Sequence, residues 1–299
     1  MKKKLFVLVG PTAVGKTKEA ISLAQVLSTE IISADSRQFY KEMNIGVACP
    51  SQEELKAAKH HFIGHISIKN EYNVGKYEKD ALEKINNLFK SYDNLVLTGG
   101  SGMYIDVICS GIDALPDVDK GIREELNNIF KREGIAPLQK ELKEKDPLYY
   151  KKVDKMNHIR LIRALEVIRQ TALPFSSFLT QKKTKRDFDI IKFALHMDRT
   201  KLIDRINRRV DIMIEDGLIE EAYKLYPFRN LAALNTVGYK EVFRYFDKEI
   251  SFDKAVEDIK TNTRRYAKRQ MTWFRKDQDI IWVEATNKIN WKCLVENQI

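Results

Sequence analysis

At 299 residues the chain is long enough for one large domain, or for a core carrying a second lobe. Its 43% hydrophobic and 31% charged content describes an ordinary folded protein, and no apolar run reaches the roughly 18 residues of a membrane span, so no membrane partner is expected. The formal net charge of +10 favours a polyanionic partner, while Cys49, Cys109 and Cys293 are too scattered for a disulfide framework or a zinc cluster and fit a reducing cytoplasm.

The opening "MKKKLFVLVG" imitates a secretion signal, but its apolar run is short and no cleavage site follows. The run Lys4 to Gly10 therefore reads as a buried strand. After it come Gly10, Pro11, Thr12, Ala13, Val14, Gly15, Lys16 and Thr17, the pattern G-x-x-x-x-G-K-T of a phosphate-binding loop. Ala20, Leu23, Ala24 and Leu27 fall at helical spacing, so a helix begins near Lys16. Further strands are expected at Glu30 to Ser36, at Asn94 running into the glycines before Tyr104, at Asp189 to Asp198 and at Asp279 to Ala285. Strands alternating with helices predict an α/β fold, a parallel P-loop sheet core flanked by helices. Between Asp113 and Arg186 only helical patterns occur, ending in the basic run Gln181 to Arg186. That stretch reads as an all-helical insertion at 113–186, dividing a core formed by 1–112 and 187–299.

The loop's physics explains its residue types. Glycines let successive N–H groups converge on an anion, and the helix adds its positive end. Lys16 adds a full charge, and the Thr17 hydroxyl suits Mg²⁺. ATP- and GTP-cleaving relatives of the motif add a carboxylate at the end of another strand. Here the strand "NLVLTGG" ends in Thr98-Gly99-Gly100, with no acid before Asp106. The clearest strand-end carboxylate is Asp35, which should lie beside the loop, beyond the carboxyl ends of the strands. A general base is the preferred reading for it, with a helix cap or Mg²⁺ ligand as the alternative.

These residues carry a resemblance. "GPTAVGKT", "ISADSRQFY", "LTGGSGMY", "RLIRALEV", "MIEDGLIEEA", "TVGYKEV" and "RRYAKRQMTWFR" run through nearly the whole chain. In that order they resemble the tRNA dimethylallyltransferases, the tRNA isopentenyltransferase family, in its shorter bacterial form. The resemblance implies transfer of a dimethylallyl group from dimethylallyl diphosphate to N6 of the adenosine 3′-adjacent to the anticodon, in tRNAs reading codons that begin with U. Mg²⁺ is the implied cofactor, and the tRNA anticodon stem-loop the implied partner. Asp35 matches the family's catalytic aspartate. The hydroxyl of Ser101, standing where the family often has threonine, is assigned to the reacting amine, and Lys16 with the loop to the diphosphate. Ser36, Arg37 and Gln38, Arg123 in the insertion, Arg160, Arg163, and Gly238, Tyr239 and Lys240 are the implied tRNA contacts.

The same reading assigns RNA backbone contact to several cations of the helix carrying Lys260, Arg264, Arg265, Lys268 and Arg269, and to Lys182, Lys183, Lys185 and Arg186. On that helix Ile259, Tyr266 or Ala267, Met271 and Phe274 fall near one apolar face. Arg205, Arg208 and Arg209 are left between diphosphate and no role. His60 to His65 reads as a loop rather than a metal site, and a lone Cys293 argues against bound zinc. Nothing demands more than a monomer. The alternatives are a small-molecule kinase using ATP and a non-catalytic RNA-binding protein with a vestigial loop. The latter should have lost some of Gly10, Gly15, Lys16, Thr17 and Asp35.

Overall fold

The structure is a computed structural model that describes residues 2–180, 184–285 and 288–298. It divides into two compact units, Met1–Ser110 with Lys185–Ile299, and Gly111–Thr184.

The first unit holds β1 (Lys4–Val9), α1 (Lys16–Val26), β2 (Ile31–Ser33), α2 (Gln52–Ala57), β3 (His60–His61), α3 (Val74–Leu88), β4 (Asn94–Thr98) and α4 (Gly102–Ser110). The strands line up with β5 and β6, which come after the helical unit, in the order β3-β2-β4-β1-β5-β6, and every pairing is parallel. This is the P-loop-type α/β core expected from the alternation of strands and helices. β1 shows why its apolar run is unbroken. Leu5, Val7 and Val9 enter one core with Tyr77, Ala81 and Ile85 of α3, while Phe6 and Leu8 enter the other with Ala20 and Leu23 of α1. A strand covered on both faces has no polar side to show.

β3 was not expected. Its two residues pair with Ile31 and Ile32 at the sheet edge, where the sequence suggested a loop. His60 Nδ1 lies 2.8 Å from the Ala58 carbonyl oxygen and His61 Nε2 lies 2.6 Å from Glu30 Oε2. Two residues are too few to display a strand's period.

The second unit is built from α5 (Lys120–Glu133), α6 (Ala136–Lys145), α7 (Pro147–Lys152) and α8 (His158–Thr171), with a 3₁₀ turn at Phe175–Phe178. Asp119 caps α5, Asp146 caps α7 ahead of Pro147, and Asn157 caps α8. Leu126, Leu138, Leu142, Leu161, Leu165 and Ile168 form its core. α8 is central and buries Glu166 completely. That carboxylate accepts two hydrogen bonds of 2.6 Å from the Arg123 guanidinium, and a third from Arg163. Burial works to raise its pKa, but the two arginines overcome this and hold it below the usual carboxylate range.

Glu166→Ala should therefore destabilise this unit by about 2 kcal/mol. The cost stays below that of a fully interior pair because the arginine side chains, 56% and 39% exposed, return to water. Because the folded pKa is depressed, the contribution is present above the pKa of a free glutamate. It is lost as pH falls through the folded value. Urea unfolding of wild type and variant at neutral and acid pH checks both points. An unchanged midpoint at neutral pH contradicts them.

The chain re-enters the first unit with β5 (Asp189–His196), followed by α9 (Arg199–Glu215), α10 (Leu218–Leu225), α11 (Tyr239–Phe246), α12 (Phe252–Phe274), β6 (Ile280–Glu284) and α13 (Trp291–Glu296). α9 to α12 share a core around Val210, Leu218, Ala222, Val242 and Ile259. The units divide two residues ahead of the expected boundaries, which places Arg186 with the core. Its guanidinium donates to the Ile108 and Val107 carbonyls at the end of α4 and to Glu78. With only 10% of its side chain exposed, Arg186 is a structural tie and not the RNA contact expected of it. Lys185 is exposed, and Gln181, Lys182 and Lys183 lie outside the described residues.

Candidate active site

The loop between β1 and α1 is set by backbone sterics. At Gly10 a Cβ would meet the Leu195 carbonyl oxygen at 2.8 Å, and Gly15, the N-cap of α1, has φ +106°, so both must be glycine. Lys16 Nζ turns back to donate to the Gly10 and Pro11 carbonyls at 3.0 and 2.8 Å. Burial pushes its pKa down to about 8, against the pull of Asp35 and with a push from Arg209. The six amides Thr12 to Thr17 were all expected to face an anion. Instead, Thr12 N–H donates to Gln270 Oε1 at 2.8 Å, and Val14 N–H points to the Pro11 carbonyl at 3.4 Å. That leaves the end of the loop to meet an anion, where the first amides of α1 precede the helix's own ladder.

Asp35 lies two residues beyond β2, and its Oδ1 accepts the Arg37 N–H at 3.1 Å. The end of β4 closes against this segment because Gly99 has no side chain. A Cβ there would fall 2.5 Å from Ala34 backbone atoms. The missing strand-end acid is thus replaced by a close approach that brings Ser101 to Ser36. Ser36 N–H donates to Ser101 Oγ at 3.1 Å, and the two hydroxyls are 3.0 Å apart. Tyr266 of α12 lines the same corner, and burial with the Asp35 charge pushes its phenol up to about 12.

Lys16, Thr17 and Asp35 open into one cavity of about 920 Å³. Its walls are of two kinds. Arg205, Arg208 and Arg209 of α9 and Arg269 of α12 make a cationic wall, while Ile206, Val210, Met213, Val237 and Ile259 supply apolar surface. Arg209 Nη1 donates to Thr12 Oγ1 at 3.1 Å, and burial lowers its pKa against the pull of Asp35. The three α9 arginines, unassigned from sequence, are thus part of the site. A volume of this size, with eight cations against two carboxylates and an apolar side, suits a small anionic ligand carrying a greasy tail, met by a second polar group.

Other expected contacts divide. Arg37 lines the cavity, but its guanidinium donates to the carbonyls of Ala232, Ala233 and Asn235, holding the segment that leads to Gly238. Gln38 similarly holds the Val47 and Ala48 carbonyls. Gly238, at φ +100°, and Lys240 line the cavity. Tyr239 corrects the expectation. Its side chain is fully buried, its ring occupies the space a Cβ on Gly46 would need, and its hydroxyl donates to Glu221. It packs the α10–α11 core and cannot touch RNA as placed here. On α12, Lys260 pairs with Asp211 and Arg264 with Asn207 and Glu257, so these two brace the helix, while Lys268 and Arg269 stay exposed. Arg123, Arg160 and Arg163 belong to the helical unit, where Arg160 is exposed. Gln270 was missed altogether. It is buried while Met271, expected inward, is only partly so.

Among the described residues no helix is long and apolar enough to cross a membrane, and no three His, Cys, Asp or Glu residues gather as a metal cluster. Residues 38–277 match the IPP transferase family. The chain is 55% identical to the tRNA dimethylallyltransferase of Christiangramia forsetii over 284 residues, 95% of this chain and 94% of that one. Its structure resembles that of the full-length tRNA isopentenylpyrophosphate transferase from Bacillus halodurans, with a TM-score of 0.72 at 35% identity, covering 99% of this chain and 94% of that one. It resembles a eukaryotic dimethylallyltransferase acting on tRNA with a TM-score of 0.80 at 25% identity, covering 99% of this chain and 77% of that one. Sequence, fold and the loop-and-carboxylate geometry agree, and the chain belongs to the tRNA dimethylallyltransferase family.

Proposed function

We propose that the protein transfers a dimethylallyl group from dimethylallyl diphosphate to N6 of the adenosine 3′-adjacent to the anticodon, in tRNAs reading codons that begin with U, and releases diphosphate. The observation that carries this reading is one cavity in which a phosphate loop without a strand-end acid faces a separate carboxylate, Asp35, across a wall of arginines. A phosphoryl-transfer enzyme needs its second acid on the metal. An alkyl-transfer enzyme needs cations on a leaving group and a base on the nucleophile. The names of the relatives favour the same choice over a kinase.

The chemistry follows from the positions. The adenine must leave its stack to bring N6 to a carboxylate within the cavity. The carbon–oxygen bond of the donor breaks, and its electron pair leaves with the diphosphate. Lys16, the first amides of α1 and Arg209 stabilise that charge as it grows. The bond between N6 and the donor carbon forms, and the N6 proton passes to Asp35. Ser101, held by Ser36, is assigned to hydrogen-bond the same amine. The apolar residues of the cavity receive the five-carbon tail. Thr17 and Asp35 also share a small recess of about 40 Å³. The Thr17 hydroxyl would hold Mg²⁺ there. When bound, Mg²⁺ would neutralise leaving-group charge there. Arg160 and the exposed cations of α12 are assigned to the tRNA backbone, and Ser36, Gly238 and Lys240 to the nucleotides around the target. The protein is assigned to the cytoplasm, as a monomer without zinc.

Diphosphate release tests this reading. Release should require an anticodon stem-loop with adenosine at the target position, and should stop when that adenosine is replaced by guanosine. ATP hydrolysis or phosphorylation of a small molecule, with no RNA-dependent diphosphate release, contradicts it.

A further inference from the structure

We propose that Gln270 is a positioning residue that fixes the distance between the donor's leaving group and the attacking amine, an inference that rests on the transferase reading above. Gln270 is only 5% exposed, although its neighbours in α12 are Arg269 and Met271. Its Oε1 accepts the Thr12 N–H at 2.8 Å, and its Nε2 donates to the Gly100 carbonyl at 2.8 Å. One partner is a donor and the other an acceptor, so the orientation of the carboxamide is fixed.

The two partners belong to the two halves of the reaction. Thr12 is in the loop that cradles the leaving group, and its hydroxyl also takes the Arg209 hydrogen bond. Gly100 precedes Ser101, whose hydroxyl meets Ser36 beside Asp35. Tyr266, one turn earlier on the same face of α12, lines the same cavity. A single buried side chain therefore spans from the donor cradle to the acceptor corner. Only a carboxamide offers a donor and an acceptor at that spacing, and a carboxylate would set an oxygen against the Gly100 carbonyl. Displacing it takes the partner from the buried Gly100 carbonyl and the part-buried Thr12 N–H, and lets the loop after β4 move against the loop after β1. Transfer between bound reactants is sensitive to a shift of this kind, with about 1 Å of misplacement costing on the order of a hundredfold.

Two variants test the bridge from opposite ends. Gln270→Ala removes the carboxamide. Gly100→Ala keeps it but puts a Cβ where Nε2 now lies, at a backbone position with no positive φ and in ordinary contact with Asp35 Oδ2 at 3.6 Å. Each should lower kcat by roughly tenfold to a hundredfold, with the donor KM and the Kd for stem-loop RNA close to wild type. With Gln270 already removed, only the ordinary contact with Asp35 Oδ2 remains, so the double variant should be no slower than Gln270→Ala alone. Wild-type kcat in either folded single variant, or fully additive losses in the double variant, overturns the proposal. So does a loss of RNA affinity equal to the loss of rate, the mark of a general structural defect. If Gln270→Ala does not fold, Gly100→Ala carries the test. An inactive wild-type protein refutes the transferase reading instead, which separates the two failures.

Discussion

Asp35→Asn should reduce transfer on the order of a hundredfold to ten-thousandfold, the range spanned by a positioned general base. The substitution is nearly isosteric. Its side-chain oxygen can still accept the Arg37 N–H that now goes to Asp35 Oδ1, so the turn after β2 is kept. What disappears is the acceptor for the N6 proton. An exocyclic amine is a weak nucleophile, and without that acceptor the new bond leaves a cationic nitrogen in a cavity already lined by Arg205, Arg208, Arg209 and Arg269. Single-turnover transfer to stem-loop RNA, with thermal unfolding as a control, measures the effect. A folded Asp35→Asn protein retaining wild-type transfer contradicts the assignment.

Lys16→Ala should lower the rate of transfer on the order of a hundredfold to a thousandfold, as loss of one preorganised group on a developing anion does. Its ammonium rests on the Gly10 and Pro11 carbonyls at the head of α1, with its charge committed to the cavity and not to the outer surface. RNA affinity should therefore change little, since the backbone contacts are assigned to other cations, Arg160 and Lys268 among them. The split between rate and RNA affinity is the diagnostic result. Loss of RNA binding with single-turnover chemistry intact would mean that the loop faces the tRNA and not the donor.

Much of this was legible in the sequence because it is written in short periods. β1 declares itself by an apolar run that feeds two cores, and the phosphate loop by glycines whose missing side chains the backbone demands. Asp35 follows from its place after a strand in a parallel sheet. The pairings that complete the site were not legible. Gln270 meets Thr12 across 258 residues, and an amide between a cation and a methionine on an amphipathic helix looks like surface. Arg186 sits in a basic run and reads as an RNA contact, yet its guanidinium closes the end of α4. Tyr239 belongs to a recognisable motif, but that motif is shaped by packing against Gly46 and by a hydrogen bond to Glu221. Local pattern carries the period of an element. It does not say which distant polar group a buried side chain will satisfy.

The glycines after β4 mark the point where sequence and structure inform each other most. Their lack of an acid argued against simple nucleotide cleavage, and the fold shows what they do instead. Gly99 lets β4 close on Ala34, and Gly100 accepts the Gln270 hydrogen bond. A strand end that would otherwise hold a metal ligand is used to bring Ser101 beside Ser36 and Asp35.

Whether the loop holds an isoprenoid diphosphate is decided most directly by mass analysis of the nucleosides of tRNA incubated with the purified protein, offered dimethylallyl diphosphate or ATP separately. The expected result is one five-carbon unit added to the adenosine next to the anticodon, with dimethylallyl diphosphate alone sufficing as donor in the presence of Mg²⁺. Unmodified tRNA with that donor, or a product formed only with ATP, would contradict it.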